Sequence, residues 1–79
     1  MNKKEKQQAI ENLKSYLPNE NCKMMKANTK GIIDALELPN PKSIIINKNA
    51  KLYASIDSND ETQAYWKGYV KGLNYANNK

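Results

Sequence analysis

Apolar side chains recur at helical spacing in three stretches of the chain and at strand spacing in one. From Ala9 onward, Ile10, Leu13 and Leu17 fall at i, i+3 and i+7, with Ala9 and Tyr16 alongside. That is the one-sided stripe of an amphipathic helix. Pro18 ends it, because proline has no amide N–H to donate and its ring clashes with the preceding turn. Residues 19–27 read as a short helix or a short strand, and their methionines and lysines favour the helix. Asn28 or Thr29 then caps a firmer helix carrying Ile32, Ile33, Leu36 and Leu38, which Leu38-Pro-Asn-Pro-Lys42 stops.

The strand-like stretch follows. Ser43-Ile-Ile-Ile46 and Leu52-Tyr-Ala-Ser-Ile56 are rich in β-branched and aromatic residues and flank Asn47-Lys-Asn-Ala50. They predict a two-stranded antiparallel hairpin over about 43–57. Alternation puts Leu52, Ala54 and Ile56 on one face, with Tyr53, Ser55 and Asp57 on the other. Ser58-Asn-Asp-Glu61 matches a capping box and opens a C-terminal helix over about 59–77. The expected fold is therefore a small α+β domain over 9–79 with two or three helices, preceded by a polar segment, 1–8, that frays. A lone ribbon is marginal in water, so the C-terminal helix is expected to cover its Leu52/Ile56 face.

That helix carries the strongest pattern in the chain. Tyr65, Trp66, Tyr69, Val70, Leu73 and Ala76 share one broad face, and Lys67, Lys71 and Asn74 lie opposite. Gly68 and Gly72 form a bare strip bordered by Tyr65 and Tyr75. Each glycine costs a helix interior about 1 kcal/mol relative to alanine, which points to a close approach at that strip. Trp66, Val70 and Leu73 are expected in the core. The tyrosines exceed what one buried stripe can use, and tyrosine favours protein interfaces. The expected partner surface is thus Tyr65, Lys67, Gly68, Tyr69, Lys71, Gly72 and Tyr75, facing a host protein or a second copy of the chain. On this reading, leucine at Gly68 or Gly72 obstructs the contact and strengthens the helix by about 1 kcal/mol.

Composition narrows the chemistry. With 79 residues there is room for one domain and a small core. Cys22 is the only cysteine and there is no histidine, which removes disulfides, the usual metal ligands and the usual general base. No nucleophile elbow, phosphate-binding glycine loop or paired-carboxylate signature is present. Asp57, Asp60 and Glu61 cluster, but at a helix start they serve the dipole and the free amides. The sequence thus points away from an enzyme, a cofactor or a metal. No apolar run is long enough for a membrane span and no signal-peptide core follows the basic start, so a cytoplasmic protein is expected.

The net charge is +5, and all 13 basic residues are lysine. Without the arginine fork, base reading is poor, so nucleic acid is expected to bind only weakly and without sequence preference. A winged-helix alternative would place Lys42, Lys48 and Lys51 on a basic wing. A further alternative is a nucleotide or cyclic-nucleotide binder, with tyrosines stacking on bases and lysines meeting phosphate. In its Asn-, Lys- and Ile-rich composition and its Tyr65-Trp-Lys-Gly-Tyr-Val-Lys-Gly-Leu73 segment, the chain resembles short orphan proteins encoded by phages and plasmids of AT-rich bacteria. The resemblance implies a mobile-element accessory protein that binds and modulates, by inhibition, a bacterial host protein or ribonucleoprotein such as a defence component.

Overall fold

The computed structural model describes residues 3–39, 44–56 and 60–77. They form helix α1 (Lys3–Tyr16), a 3-10 turn (Leu17–Asn19), α2 (Lys23–Leu36), α3 (Ile44–Ala54) and α4 (Glu61–Asn77). Among the described residues there is no strand. The fold is all-helical, not α+β.

The correction lies at 44–54, where helix α3 replaces the expected hairpin. Two strands with no third to pair would leave backbone groups open along both edges, whereas a helix satisfies them within the segment. Helical spacing turns Ala50 inward, 1% exposed, to pack with Ala35 and Leu73. It leaves Leu52, expected under the C-terminal helix, 62% exposed.

Helix α1 starts at Lys3, earlier than the apolar stripe, and Pro18 sits in the turn that ends it. Helix α2 takes in residues 23–27 of the segment that read ambiguously and continues unbroken to Leu36. Cys22 stands at its N-cap and Lys26 N donates to Cys22 O at 2.9 Å. Asn28 and Thr29 are therefore interior residues and not caps. Ser58 lies outside the described residues, and Asp60 Oδ1 accepts from Gln63 N at 2.9 Å at the start of α4.

Two clusters hold the helices together. Ile10 of α1 packs with Ile32, Ile33 and Leu36 of α2, with Ala9, Leu13, Leu17 and Ala76 at the margin. Ala35, Ala50 and Leu73 join α2, α3 and α4, edged by Leu38, Trp66, Tyr69 and Val70. Lys6 Nζ donates to Leu38 O at 3.2 Å, and Lys14 pairs with Glu37 at 3.1 Å, so α1 lies along the C-terminal half of α2. The result is a slab with principal extents of 33 × 31 × 16 Å.

Candidate docking surface

The glycines of α4 lie inside the fold. Both Gly68 and Gly72 are buried against α2. A Cβ on Gly68 would overlap the Asn28 carbonyl, and one on Gly72 would stand 2.7 Å from Ile32 O and 2.8 Å from the Ala35 Cβ. Gly31 answers from α2, since a Cβ there would strike Tyr65 O and come within 2.8 Å of Tyr69 N. Asn28 Nδ2 locks the same seam by donating to Ala64 O at 3.0 Å. These contacts advance along both helices together, so α2 and α4 run parallel with small residues facing small residues, the close-packing solution best known from membrane helix pairs. The bare strip is thus closed by the chain itself, and Gly68 and Gly72 are not part of an exposed contact surface.

Of the remaining expected surface residues, Tyr65 and Tyr69 are half-buried. They form an aromatic cluster with Trp66 and with Tyr53 of α3. Tyr53 stacks on Trp66 at 5.0 Å between centroids, Tyr65 meets Trp66 edge-on at 5.2 Å, and Tyr69 lies 5.2 Å from Trp66. Trp66 therefore edges the core and does not fill it. Tyr65 donates its hydroxyl to Asp34 Oδ2 at 2.6 Å, tying α4 to α2. Lys67, Lys71 and Tyr75 remain exposed on α4. Lys48 and Lys51 are exposed on a helix, with no wing to carry them, and Lys42 lies outside the described residues.

Burial, and after it the hydrogen bond to Asp34, pushes the Tyr65 hydroxyl above the usual phenol range. Its unfolded value is about 10, so its contribution to stability is whole below pH 10 and is lost as the pH climbs through the higher folded value. Tyr65→Phe is expected to cost about 1–2 kcal/mol at pH 7, the worth of one hydrogen bond to a half-buried carboxylate. Urea titrations from pH 7 to 11 check both parts: wild type should lose its advantage over the variant above pH 10. A constant difference across that range would assign the loss to packing.

Two clefts open on the side of α4 that carries Lys67, Lys71 and Tyr75. One, of ≈ 300 Å³, is lined by Tyr16, Met24, Met25, Asn28, Thr29, Gln63, Ala64 and Lys67. The other, of ≈ 360 Å³, is lined by Ala9, Asn12, Leu13, Ile32, Leu36, Lys71 and Tyr75. Their rims hold Met25, Tyr75 and Tyr16 at 53%, 47% and 43% exposure. Tyr16 is steadied by donating its hydroxyl to the Glu20 carboxylate, which also accepts from Cys22 N at 3.0 Å. Sequence reasoning missed Tyr16, Met24 and Met25. The signal was available: Met25, Thr29, Ile32 and Leu36 continue one helical stripe once 23–36 is read as a single helix.

Among the described residues, no group of three or more His, Cys, Asp or Glu could hold a metal ion, and no helix is long and apolar enough to cross a membrane. Compared with known proteins, the chain matches no protein-family model, no curated protein and no solved structure.

Proposed function

We propose that this chain is a non-enzymatic binding protein that works by docking a protein partner and modulating it. The observation that carries the reading is the apolar rim on the α4 side of the slab, where Tyr16, Met24, Met25 and Tyr75 stand 38–53% exposed around two clefts. Methionine and tyrosine are suited to such contacts, the first because its side chain adapts and the second because it brings area at low entropic cost. The resemblance to short phage and plasmid proteins supports a bacterial host protein or ribonucleoprotein as the partner, with inhibition as the effect.

Affinity capture from a bacterial lysate, with and without nuclease, tests the reading. A protein retained at equal yield after nuclease treatment is the expected result. Retention that disappears with nuclease would mean that the lysines recruit nucleic acid and that any protein follows indirectly.

A further inference from the structure

The two clefts lie in sequence along the same helices. A single stripe of α2 lines both: Met25 at the rim of the first, then the buried Thr29, Ile32 and Leu36, follow one another at intervals of four, three and four residues. One wall is the matching stripe of α4, Ala64, Lys67, Lys71 and Tyr75. Helix α1 borders both: Tyr16, its last residue, stands in the first cleft, Leu13 and Ala9 in the second. All three helices pass from the first cleft to the second in a consistent order.

The dimensions are those of a helix. At 1.5 Å per residue, the wall from Ala64 to Tyr75 is about 16 Å long, or three turns. The cleft centres, midway between Ala64 and Lys67 and between Lys71 and Tyr75, are separated by about 11 Å along α4. That is the distance from position i to i+7 on a docked helix, the anchor spacing of helix-in-groove recognition. Each cleft is large enough for one or two bulky apolar side chains.

Charge selects among helices. The residues lining the groove include two lysines, Lys67 and Lys71, and no carboxylate. Both lysines are exposed and, among the described residues, neither makes a hydrogen bond or an ion pair. They stand one turn apart on the same wall. A second copy of this chain carries a net charge of +5, which opposes its approach to these lysines. A nucleic-acid strand would find only two cations, beside the exposed apolar side chains of Met24 and Met25. We infer that the groove takes an acidic amphipathic helix of about three turns from the protein partner, with apolar anchors at i, i+3 or i+4 and i+7, and carboxylates along the edge facing α4.

This inference rests on the protein-binding reading, and its test separates the two. The probes are a fluorescein-labelled three-turn peptide with leucine anchors and glutamate flanks, and its lysine-flanked counterpart. Fluorescence polarisation is expected to show saturable 1:1 binding of the glutamate peptide, roughly ten-fold tighter than the lysine peptide. Backbone amide shifts should concentrate on α1, α2 and the Ala64–Tyr75 edge. The double variant Lys67→Glu/Lys71→Glu changes only exposed side chains, so its fold, checked by circular dichroism, should persist while its peptide preference reverses. Three results would overturn the assignment: neither peptide saturates, the double variant keeps the wild-type preference, or the shifts fall outside the groove. The double variant is also carried through the lysate capture. If it retains the nuclease-resistant partner at full yield, the groove assignment falls and protein binding stands. If wild type retains no protein, the binding reading itself falls.

Discussion

Leucine at Gly68 is expected to abolish the native fold, although helix propensity alone would score the change as stabilising by about 1 kcal/mol. The Cβ that leucine brings would overlap the Asn28 carbonyl oxygen. That atom belongs to the backbone of α2 and cannot turn aside as a side chain could. Relief requires parting α2 from α4, which breaks the Asn28–Ala64 and Tyr65–Asp34 hydrogen bonds and opens the cluster around Leu73. Overpacking typically costs 1–3 kcal/mol and sometimes more, and a core of this size supplies only about 3–5 kcal/mol in total. Alanine at Gly31 should be nearly as damaging, because its Cβ meets the Tyr65 carbonyl in the same way. Alanine at Gly72 should be milder, because its closest neighbours would be at 2.7 and 2.8 Å and a smaller separation of the helices relieves them. Thermal melts followed by circular dichroism should rank the variants in that order. A Gly68→Leu protein that melts near wild type would mean that α2 and α4 do not pack through these glycines.

The need for a close approach at Gly68 and Gly72 was legible in the sequence, and the identity of what approaches was not. Two glycines one turn apart in a polar helix say that some backbone comes near. The complementary signal is Gly31 and Ala35 on α2, also one turn apart. It carries weight only once α2 is known to start at Lys23 and to run through both positions. Elsewhere the apolar period and the breakers were sufficient: Pro18 lies in the turn after α1, and α4 falls within the expected 59–77. The period failed at 44–54 for a physical reason. A run of isoleucines is apolar at every position and fits either period, and the alternation of Leu52, Ala54 and Ile56 competes with the helical placement of Ala50 against Leu73. Tertiary packing decided between them. The candidate surface shows the same division. Exposure of Lys67 and Lys71 follows from their place opposite the aromatic face, whereas the two clefts arise where α1 and α4 meet the same stripe of α2, a relation between helices distant in sequence.

Leu73→Ala is expected to unfold most of the population at 25 °C. Leu73 is 1% exposed at the junction of α2, α3 and α4, and the other two fully buried members of its cluster are Ala35 and Ala50. It is the one bulky, fully buried side chain there among the described residues. The alanines cannot shift to fill the space it leaves, and Trp66, Tyr69 and Val70 hold the edge in contacts of their own. A site that cannot collapse sits at the upper end of the leucine-to-alanine range, about 4–5 kcal/mol, which matches or exceeds the whole stability of so small a core. Leu36→Ala offers the internal comparison. Leu36 is equally buried, but Ile10, Ile32 and Ile33 surround it and can relax inward, so its loss should cost about 2–3 kcal/mol. Urea titrations at pH 7 should find the Leu36 variant folded with a lowered midpoint and the Leu73 variant without a folded baseline. Trp66 fluorescence gives a second readout, because releasing α3 removes the Tyr53 ring stacked on the indole. The reverse ranking would place the weight of the fold on the α1–α2 contact and would leave α3 a peripheral element.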